Sequence, residues 1–384
     1  MTDIYGRLGI RPIINARGTH TRLGGSLMSA EVLNAMRDAA RSYIVLDELQ
    51  ECASKVIVGM TGAAAGMVTG GASAALLIGT AACVAGSDPQ KIAQLPVTTG
   101  MRNEAIMHRA HRNGYDHSVR AAGVTIIDVG YGHGTLAYQL EAAFTERTAL
   151  VVYLISPWAS RGALPLAETC EIAHRHGIPV LVDAAAALPP AENLTRFITE
   201  GADLVTFSGG KGINGPQSSG ILAGRADLIH AALMNGSPSH SVGRTAKAAK
   251  EDIVGLIVAL ERYGQRDHAA DLEHWRNQAE YLASALSGLP QVDVTVVYDG
   301  REHSTPRVEL VFRHGSGIDA HELITALENG EPRLFLFEPN GPSARPGSVI
   351  INTQTLQSGE ERVIAAMLRE EIAVRLHPGV TGSP

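Results

Sequence analysis

The chain has 384 residues, of which 45% are hydrophobic and 18% are charged. This length and composition suffice for a large buried core and for two domains, one larger than the other. The 32 basic and 39 acidic residues leave a formal net charge of −7, which excludes a global positive field for nonspecific binding of nucleic acid.

Short β-branched runs alternate with helical segments between about residues 55 and 225. Runs that are apolar on both faces predict a mainly parallel sheet covered by helices. The active site of such a sheet lies at the carboxyl ends of its strands. The predicted strands are 105–107, 125–129, 149–155, 179–183, 204–207 and 220–222.

The carboxyl-terminal part has a different pattern, which predicts a small α+β domain. Residues 246–285 have helical periodicity and few breakers, as a long connection leading out of the first domain would have. Beyond it we predict strands at 292–297 and 307–312, helices at 319–327 and 360–373, and a Pro- and Gly-rich loop at 338–347. The predicted division is an N-terminal segment contributing to the active site at 1–50, a large cofactor-binding domain at 51–265 and a small domain at 266–384.

Three cysteines, Cys52, Cys83 and Cys170, lie far apart and form no C-x-x-C pair. This spacing suggests neither a disulfide framework nor a metal site, and it is typical of buried free thiols in a reducing compartment. The amino terminus lacks an apolar stretch behind a basic start, and the longest apolar region, 72–85, is too short to span a bilayer comfortably. We therefore expect a cytoplasmic protein without a membrane or metal partner.

An enzyme that uses pyridoxal 5′-phosphate (PLP) needs a lysine for a Schiff base, an acid at the pyridine nitrogen, a phosphate cradle and a ring-stacking side chain. The lysine candidate is Lys211, in the run Ser208-Gly-Gly-Lys-Gly-Ile directly after a predicted strand. Small neighbours let a bulky cofactor approach the backbone, and Ser208 is placed to donate a hydrogen bond to a phosphate. Taken alone, the pattern fits a surface lysine in a glycine loop equally well.

The acid candidate is Asp183, which ends the run Pro179-Val-Leu-Val-Asp183. A carboxylate at the end of a buried apolar strand needs a cationic or hydrogen-bonding partner, and a protonated pyridine nitrogen is one. An aspartate after a strand is also a common helix cap. Because Asp183 stands one predicted strand before Lys211, we favour the cofactor role.

The phosphate cradle is predicted where residues 68–73, Val-Thr-Gly-Gly-Ala-Ser, open an apolar helix. Glycines at a helix amino terminus expose N–H groups and the favourable end of the helix dipole, which suits a dianion. Such openings are common, so this prediction depends on its combination with Asp183 and Lys211.

A ring-stacking side chain is predicted within residues 108–117, just after the first strand of the set. His111 is the first choice and Tyr115 the second, because an imidazole or a phenol covers the face of a cofactor ring. The alternative is a solvated helix face of His and Arg side chains.

These motifs, in this order, resemble those of the fold-type-I PLP enzymes of the selenocysteine synthase (L-seryl-tRNA selenium transferase) family, above all its D-glucosaminate-6-phosphate ammonia-lyase branch. The resemblance implies the α/β fold of the aspartate aminotransferase type, with a large, mainly parallel-sheet domain and a small α+β domain. The segments that carry it are 13–18, 23–26, 69–73, 182–190, 208–217, 243–244 and 250–251.

The resemblance also implies roles for individual residues. Lys211 would carry the Schiff base and Asp183 would face the pyridine nitrogen. The implied phosphate-binding residues are Gly71, Ala72 and Ser73. A homo-oligomer with active sites at its subunit interfaces is implied as well, with Arg244 contributed by a neighbouring subunit. The implied residues on the substrate side are Asn15, Arg17, Thr19, His20 and Arg22, for which an exposed polar segment is the alternative.

Two departures from the family pattern bear on the substrate. Residues 347–354 show no recognisable form of the lyase pattern. The motifs begin near residue 10, which leaves no room for the amino-terminal tRNA-binding domain of selenocysteine synthase, and the net charge is negative. We therefore expect a small-molecule substrate, an amino acid or an amino sugar acid, and no nucleic-acid partner.

The implied reaction is an elimination. The Schiff base passes from Lys211 to the substrate amino group as an external aldimine, and the freed lysine takes the α-proton. Asp183 stabilises the resulting carbanion through the ring nitrogen, and loss of a β-substituent leads to ammonia and a keto acid. Racemisation, aldol cleavage, transamination and seryl-tRNA-type β-replacement share the early steps and stay open.

A function of another class, S-adenosylmethionine-dependent methyl transfer, is suggested by a strand at 125–129 followed by glycines at Gly130, Gly132 and Gly134. That site needs an acid at the end of the next strand to bind ribose hydroxyls, and 149–155 ends without one. Because the loop also leaves Asp183 and Lys211 unexplained, we prefer the PLP enzyme.

Overall fold

The computed structural model describes residues 4–156, 162–298, 305–339 and 345–376. The chain forms two compact units, of which the first is Ser26–Arg266 and the second combines Met1–Gly25 with Asp267–Pro384. The residues of the predicted segment 1–50 are therefore divided, with those up to Gly25 in the second unit and the rest in the first.

The strands lie close to the predicted positions, with further strands that the sequence pattern did not predict. In chain order they are β1 (Ile13–Asn15), β2 (Ala65–Thr69), β3 (Glu104–His108), β4 (Thr125–Val129), β5 (Thr148–Leu154), β6 (Val180–Asp183), β7 (Leu204–Ser208), β8 (Gly220–Gly224), β9 (Val292–Val297), β10 (Arg307–Phe312), β11 (Arg333–Phe335) and β12 (Ser348–Asn352).

The helices between and after these strands vary from one turn to five. They are α1 (Ile4–Arg7), α2 (Ala30–Ala39), α3 (Leu46–Thr61), α4 (Ala72–Ala85), α5 (Pro89–Gln94), α6 (Asp116–Arg120), α7 (Ala137–Glu141), α8 (Leu166–Arg175), α9 (Asn193–Thr199), α10 (Ala226–Asn235), α11 (Lys250–Gln265), α12 (His268–Leu286), α13 (Ala320–Asn329) and α14 (Glu360–Leu376), with short 3-10 helices at Thr21–Leu23 and Arg109–His111. Among the described residues, no helix has both the length and the apolar character that crossing a bilayer requires.

A seven-stranded sheet forms the centre of the first unit, in the order β2-β8-β7-β6-β5-β3-β4. All pairs from β7 to β4 are parallel, and β8 alone runs antiparallel to both of its neighbours. The predicted, mainly parallel sheet is thus present. Every strand except β8 ends at the same edge, which is where side chains of a site meet.

Both faces of this sheet are buried, which explains why its strands are apolar throughout rather than alternating. On β5, Val151 and Tyr153 pack into one core cluster, whereas Leu150 and Val152 pack into the other. Helices α3, α8, α9 and α11 supply the first cluster, and α4 and α10 supply much of the second.

The second unit has a three-stranded antiparallel sheet, β12-β10-β9, and a parallel pair of β1 with β11. The backbone of Ala16 continues this pairing, because its N–H donates to the Phe335 carbonyl and its carbonyl accepts from Asn352 N–H. These backbone bonds attach the amino-terminal strand to the carboxyl-terminal unit.

The connection predicted to be helical over 246–285 consists of two helices, α11 and α12. The break falls at Arg266, whose backbone is extended, and Asp267 caps α12 by accepting from Ala270 N–H at 2.9 Å. An aspartate that caps a new helix satisfies N–H groups that a continuous helix would bond internally.

Candidate active site

Four predicted polar positions lie along one edge of the large sheet. Asp183 is the last residue of β6, level with Leu154 of β5 and Thr206 of β7. Ser208 ends β7 opposite Gly220, and Thr69 ends β2 opposite that same glycine. Lys211 follows β7 after two glycines, so that the acid and the lysine belong to the neighbouring strands β6 and β7, while β8 separates β7 from the β2 strand that leads to the phosphate candidates.

The Asp183 carboxyl is 6% exposed, and its Oδ1 accepts from the Ala185 N–H at 3.0 Å. Burial raises the pKa of Asp183, and the Ala185 N–H and the positive charge of Lys211 partly offset that rise. A buried carboxyl of this kind gains from a cationic or proton-sharing partner.

Lys211 is the nearby cation. Burial lowers the pKa of the Lys211 amine, and the negative charge of Asp183 opposes that change. A lowered lysine pKa favours the neutral amine, which is the nucleophilic and basic form.

The glycines beside Lys211 are required by close backbone packing. A Cβ on Gly210 would lie 2.4 Å from the Gln217 Cα, and one on Gly212 would lie 2.4 Å from the Leu188 carbonyl oxygen. Both contacts are shorter than real Cβ atoms make, so that the loop depends on glycine on both sides of the lysine.

The predicted phosphate cradle is the start of α4. Gly71 precedes this 14-residue apolar helix with a φ of 105°, and Thr69 Oγ1 donates to its carbonyl at 3.0 Å. The first turn of a helix presents N–H groups without intrahelical acceptors. Gly71 and Ala72 are half-buried, and Ser73 is exposed. Ser208, at the end of β7, is half-buried.

A small cavity of about 10 Å³, room for about one water molecule, lies beside Asp183. Tyr115, the second choice for ring stacking, lines it. The full lining is Leu76, Met107, Asn113, Tyr115, Asp116, Val119, Val152, Leu154 and Asp183.

His111, the first choice for ring stacking, is fully buried and is not part of that lining. Its Nδ1 accepts from the Leu154 N–H at 3.2 Å, and its ring meets Tyr153 edge-on at 4.5 Å between centroids. Burial lowers the pKa of His111 to about 3, so the imidazole is neutral at physiological pH. Both His111 and Tyr115 stay candidates, and the lining of the cavity favours Tyr115.

The loop that carries Tyr115 is held by an ion-pair network. Arg112 Nε donates to Asp116 Oδ2 at 2.5 Å, and the same guanidinium pairs with Asp128. Asn113 Oδ1 accepts from the Tyr115 N–H at 2.7 Å. Sequence reasoning missed Asn113 and Asp116 as residues of the site, although an Arg and an Asp four positions apart in a short turn were a usable signal.

The predicted substrate-side residues belong to the second unit, at and just after β1. Asn15 Oδ1 accepts from the Arg17 N–H and its amide donates to the Gly18 carbonyl, both at 3.1 Å. Arg17 Nε is buried without an acceptor in the described part of the chain. The His20 ring lies 5.8 Å from the Phe337 ring, and Thr19 and Arg22 stand on the adjoining turn.

Arg244, predicted to act from a neighbouring subunit, is exposed on a turn of the first unit, where its N–H donates to the Ser241 carbonyl. The glycine loop of the methyltransferase alternative follows β4, the edge strand of the sheet. There Gly130 allows a tight turn, because a Cβ on it would lie 2.2 Å from Thr135 Oγ1.

The family model of L-seryl-tRNA selenium transferase (SelA) matches residues 13–275 of this chain. The chain belongs to the SelA family. This membership and the relatives described below confirm three predictions: the family, that the protein is an enzyme, and that its cofactor is PLP. The methyltransferase alternative is not favoured.

Curated relatives of this chain include two that are more than 30% identical to it. D-glucosaminate-6-phosphate ammonia lyase of Salmonella typhimurium is 32% identical, over 96% of this chain and 97% of its own. 5′-C-glycyluridine monooxygenase-decarboxylase of a Streptomyces species is 31% identical, over 86% of this chain and 83% of its own. The L-seryl-tRNA(Sec) selenium transferase of Rhizobium meliloti is 29% identical, over 78% of this chain and 67% of its own.

Solved structures confirm the predicted fold class. A structure of D-glucosaminate-6-phosphate ammonia-lyase matches with a TM-score of 0.82 and 31% identity, over 97% of this chain and 99% of its own. A structure of SPT with a PLP internal aldimine matches with a TM-score of 0.60 and 12% identity, over 94% of this chain and 88% of its own, which shows a shared fold.

Proposed function

We propose that this chain is a PLP-dependent lyase that releases ammonia from a small amino acid or an amino sugar acid, with Lys211 as the lysine that binds the cofactor. The observation that carries the proposal is the pair of the buried Asp183 and the half-buried Lys211 at adjacent strand ends, where the charge of each shifts the pKa of the other. The nearly full-length similarity to an ammonia lyase supports the same reaction class.

The residues of this edge fit PLP. The buried Asp183 carboxyl is suited to hold a proton at the pyridine nitrogen, because its burial favours a partner that shares a proton. Gly71, Ala72 and Ser73 at the start of α4, with Ser208, would hold the phosphate. When bound, PLP supplies an electron-accepting ring that stabilises negative charge at the substrate carbon bearing the amino group.

Lys211 would then move a proton. Its amine, whose pKa burial lowers, is suited to take the proton from the substrate α-carbon. Loss of the β-hydroxyl releases one water, and hydrolysis of the remaining enamine consumes one, so that the net products are a keto acid and ammonia. Tyr115 and the apolar side chains of Leu76 and Val152, which line the small cavity beside Asp183, would limit the access of bulk water to the ring.

The acid groups of such a substrate need cationic partners. The candidates among the predicted residues are Arg17, Arg22 and Arg244, since a guanidinium binds a carboxylate or a phosphate with two hydrogen bonds. Arg17 is supported by its buried Nε, which has no acceptor among the described residues. Asn15, Thr19 and His20 would supply neutral hydrogen-bonding groups beside it.

A homo-oligomer with shared active sites in the cytoplasm completes the proposal. An interface between subunits is supported by large apolar side chains that are exposed on the first unit, namely those of Leu27, Tyr43, Ile44 and Val45. The expectation of buried thiols holds for Cys170 alone, because Cys83 is half-buried and Cys52 is exposed.

Chemical labelling tests the cofactor lysine. Purified protein should absorb in the visible range, and borohydride reduction followed by peptide mass spectrometry should locate a phosphopyridoxyl group on Lys211. Lys211→Ala should lose the label and all turnover, whereas Lys91→Ala, an exposed lysine on α5, should keep both. A label on another lysine, or turnover by the Lys211→Ala protein, would contradict the assignment.

Product analysis tests the reaction class. D-glucosaminate 6-phosphate, D-glucosaminate and serine should be incubated separately with the holoenzyme, and at least one should release ammonia and a keto acid in equal amounts. Inverted stereochemistry without ammonia would indicate a racemase, and an aldehyde product would indicate an aldolase. Either result alone would overturn the lyase proposal while leaving Lys211 as the cofactor lysine.

A further inference from the structure

Asn214 has a backbone conformation that is rare for residues with a side chain. Its φ is 59°, and in the described part of the chain only Gln291 is another non-glycine residue with positive φ. Asparagine tolerates this left-handed region better than most residues. The Asn214 N–H donates to the Lys211 carbonyl at 3.1 Å, so that this conformation closes the turn that begins at the lysine.

The Asn214 side chain connects this turn to two other segments of the first unit. Its Oδ1 accepts from both terminal guanidinium nitrogens of Arg266, at 3.3 and 3.2 Å. Its amide nitrogen donates to the Leu27 carbonyl at 3.3 Å. One small side chain therefore links the lysine turn to the end of α11 and to the segment before α2.

Arg266 is a fixed partner rather than a mobile surface group. It caps α11, where its N–H donates to the Tyr263 carbonyl, and its guanidinium lies 5.7 Å over the ring of the buried Tyr263. Helix α11 is anchored in the core by Ile253 and Leu256, each about 1% exposed. A contact to Arg266 is thus a contact to a rigid element.

Backbone hydrogen bonds hold the other end of the lysine loop. Gly209 N–H donates to the Ser219 carbonyl at 2.9 Å, and Gly215 N–H donates to the Gly209 carbonyl at 2.8 Å. These bonds close the base of the loop. The middle of the segment from Lys211 to Asn214 is packed through Gly212 and through Ile213, which is about 1% exposed, and the side-chain bonds of Asn214 fix its far end.

We propose that Asn214 and Arg266 are positioning residues for Lys211, in which the Arg266 guanidinium holds the Asn214 amide and thereby sets the backbone from which the lysine extends. The inference rests on the proposed function, because it requires Lys211 to be the lysine that binds PLP. It adds two residues that are not part of the cavity lining beside Asp183.

The test uses variants that keep the left-handed backbone. Asn214→Gly adopts positive φ without strain but loses both side-chain bonds, and Arg266→Gln removes the guanidinium. Each should slow covalent attachment of PLP to the apoenzyme by about tenfold to a hundredfold, since displacement of a reacting group by about 1 Å costs that much. Each should also shift the pH midpoint of the visible absorption band of the holoenzyme.

Two further variants show that the contact itself is responsible. Asn214→Asp tolerates positive φ and still accepts from Arg266, so it should stay within about threefold of the unmodified protein. The double variant Asn214→Gly/Arg266→Gln should attach PLP no more slowly than the slower of the two single variants, because both changes remove the same contact between Asn214 and Arg266.

Arg262→Gln is the matched control. Arg262 lies on the same helix and pairs with Glu31 at 2.8 Å, but both side chains are about half exposed, and such pairs contribute little. It should leave both the attachment rate and the band midpoint unchanged.

The inference fails if Asn214→Gly and Arg266→Gln have the attachment rate and the band midpoint of the unmodified protein. If only their melting temperatures fall, the two residues have a purely structural role. Additive effects in the double variant overturn it as well. Mass spectrometry of each reduced holoenzyme separates these results from a failure of the proposed function, in which the label lies on a lysine other than Lys211.

Discussion

Asp183 and Lys211 are opposite charges whose pKa values shift toward each other. Burial raises the pKa of the acid and lowers the pKa of the amine, and the attraction between the two charges limits both changes. The neutral forms are favoured because each charged form is poorly solvated at the buried strand ends. At the scale of single residues, the sequence showed which groups have this chemistry, and burial decided how far it is altered.

Two buried histidines near the site should make the stability of the protein depend on pH. Burial lowers the pKa of His108 to about 4 and that of His111 to about 3, below the ordinary value of 6.5. Between pH 6.5 and these lowered pKa values, the histidines of the unfolded chain bind protons that the folded chain does not bind. The free energy of unfolding should therefore fall as pH drops from about 7 toward 4. The fall should reach up to about 1.4 kcal/mol per pH unit for each histidine.

Denaturant unfolding of His111→Asn at several pH values checks this prediction. Asparagine accepts from the Leu154 N–H without titrating, so the variant should lose less stability than the unmodified protein between pH 7 and 5. His321→Gln is the control, because Glu338 raises the pKa of that exposed histidine, so its contribution is present at low pH and lost as pH rises. An equal fall in His111→Asn and the unmodified protein would contradict the assigned cause.

At the scale of single elements, the start of α4 depends on the strand beside it. The Gly220 backbone of β8 passes so close that a Cβ there would lie 2.6 Å from the Gly71 carbonyl carbon and 2.7 Å from the Ala72 nitrogen. The helix opening was predictable from its glycines and apolar run. The need for glycine at position 220 was not, because it comes from a residue about 150 positions away in the chain.

Gly220→Ala should therefore weaken PLP binding by displacing the first turn of α4. We expect the dissociation constant of PLP from the apoenzyme to rise at least about tenfold, equivalent to about 1.4 kcal/mol. Gly59→Ala is the control, since its Cβ would meet open space on α3. It should leave PLP binding unchanged and stabilise the fold by up to about 1 kcal/mol. Unchanged PLP affinity in Gly220→Ala would argue against a cradle at this helix start.

At the scale of the whole molecule, the chain is organised as two units, the second of which combines two separate segments of the chain. The amino-terminal strand β1 joins the carboxyl-terminal unit by pairing with β11, some 320 residues later. The sequence placed the boundary near residue 266 but not this pairing, because a three-residue strand has too little pattern to identify its partner. The predicted homo-oligomer with shared active sites belongs to the same scale.

Mixed oligomers test whether Arg244 acts in a neighbouring subunit. If Lys211→Ala and Arg244→Ala subunits are each inactive and are co-expressed with different tags, the mixed species should regain activity. A statistical mixture of dimers should reach about a quarter of the unmodified activity, because half of its dimers carry one intact site of two. Pairing Lys211→Ala with Lys211→Arg is the control and should restore nothing. No recovery in a purified mixed oligomer would indicate that Arg244 acts within its own subunit or outside the site.

The sequence by itself determined the features that depend on local pattern. Apolar runs predicted the central strands, and their order placed Asp183 one strand before Lys211, because adjacent parallel strands end at one edge. Only the tertiary structure decided features that depend on distant neighbours. In the folded chain His111 is buried and bonded to the Leu154 N–H, whereas Tyr115 lines the cavity. The helical connection is divided at Arg266, and that arginine contacts Asn214. Side-chain identity shows what a residue is able to do, but burial and long-range contacts decide which partner it meets.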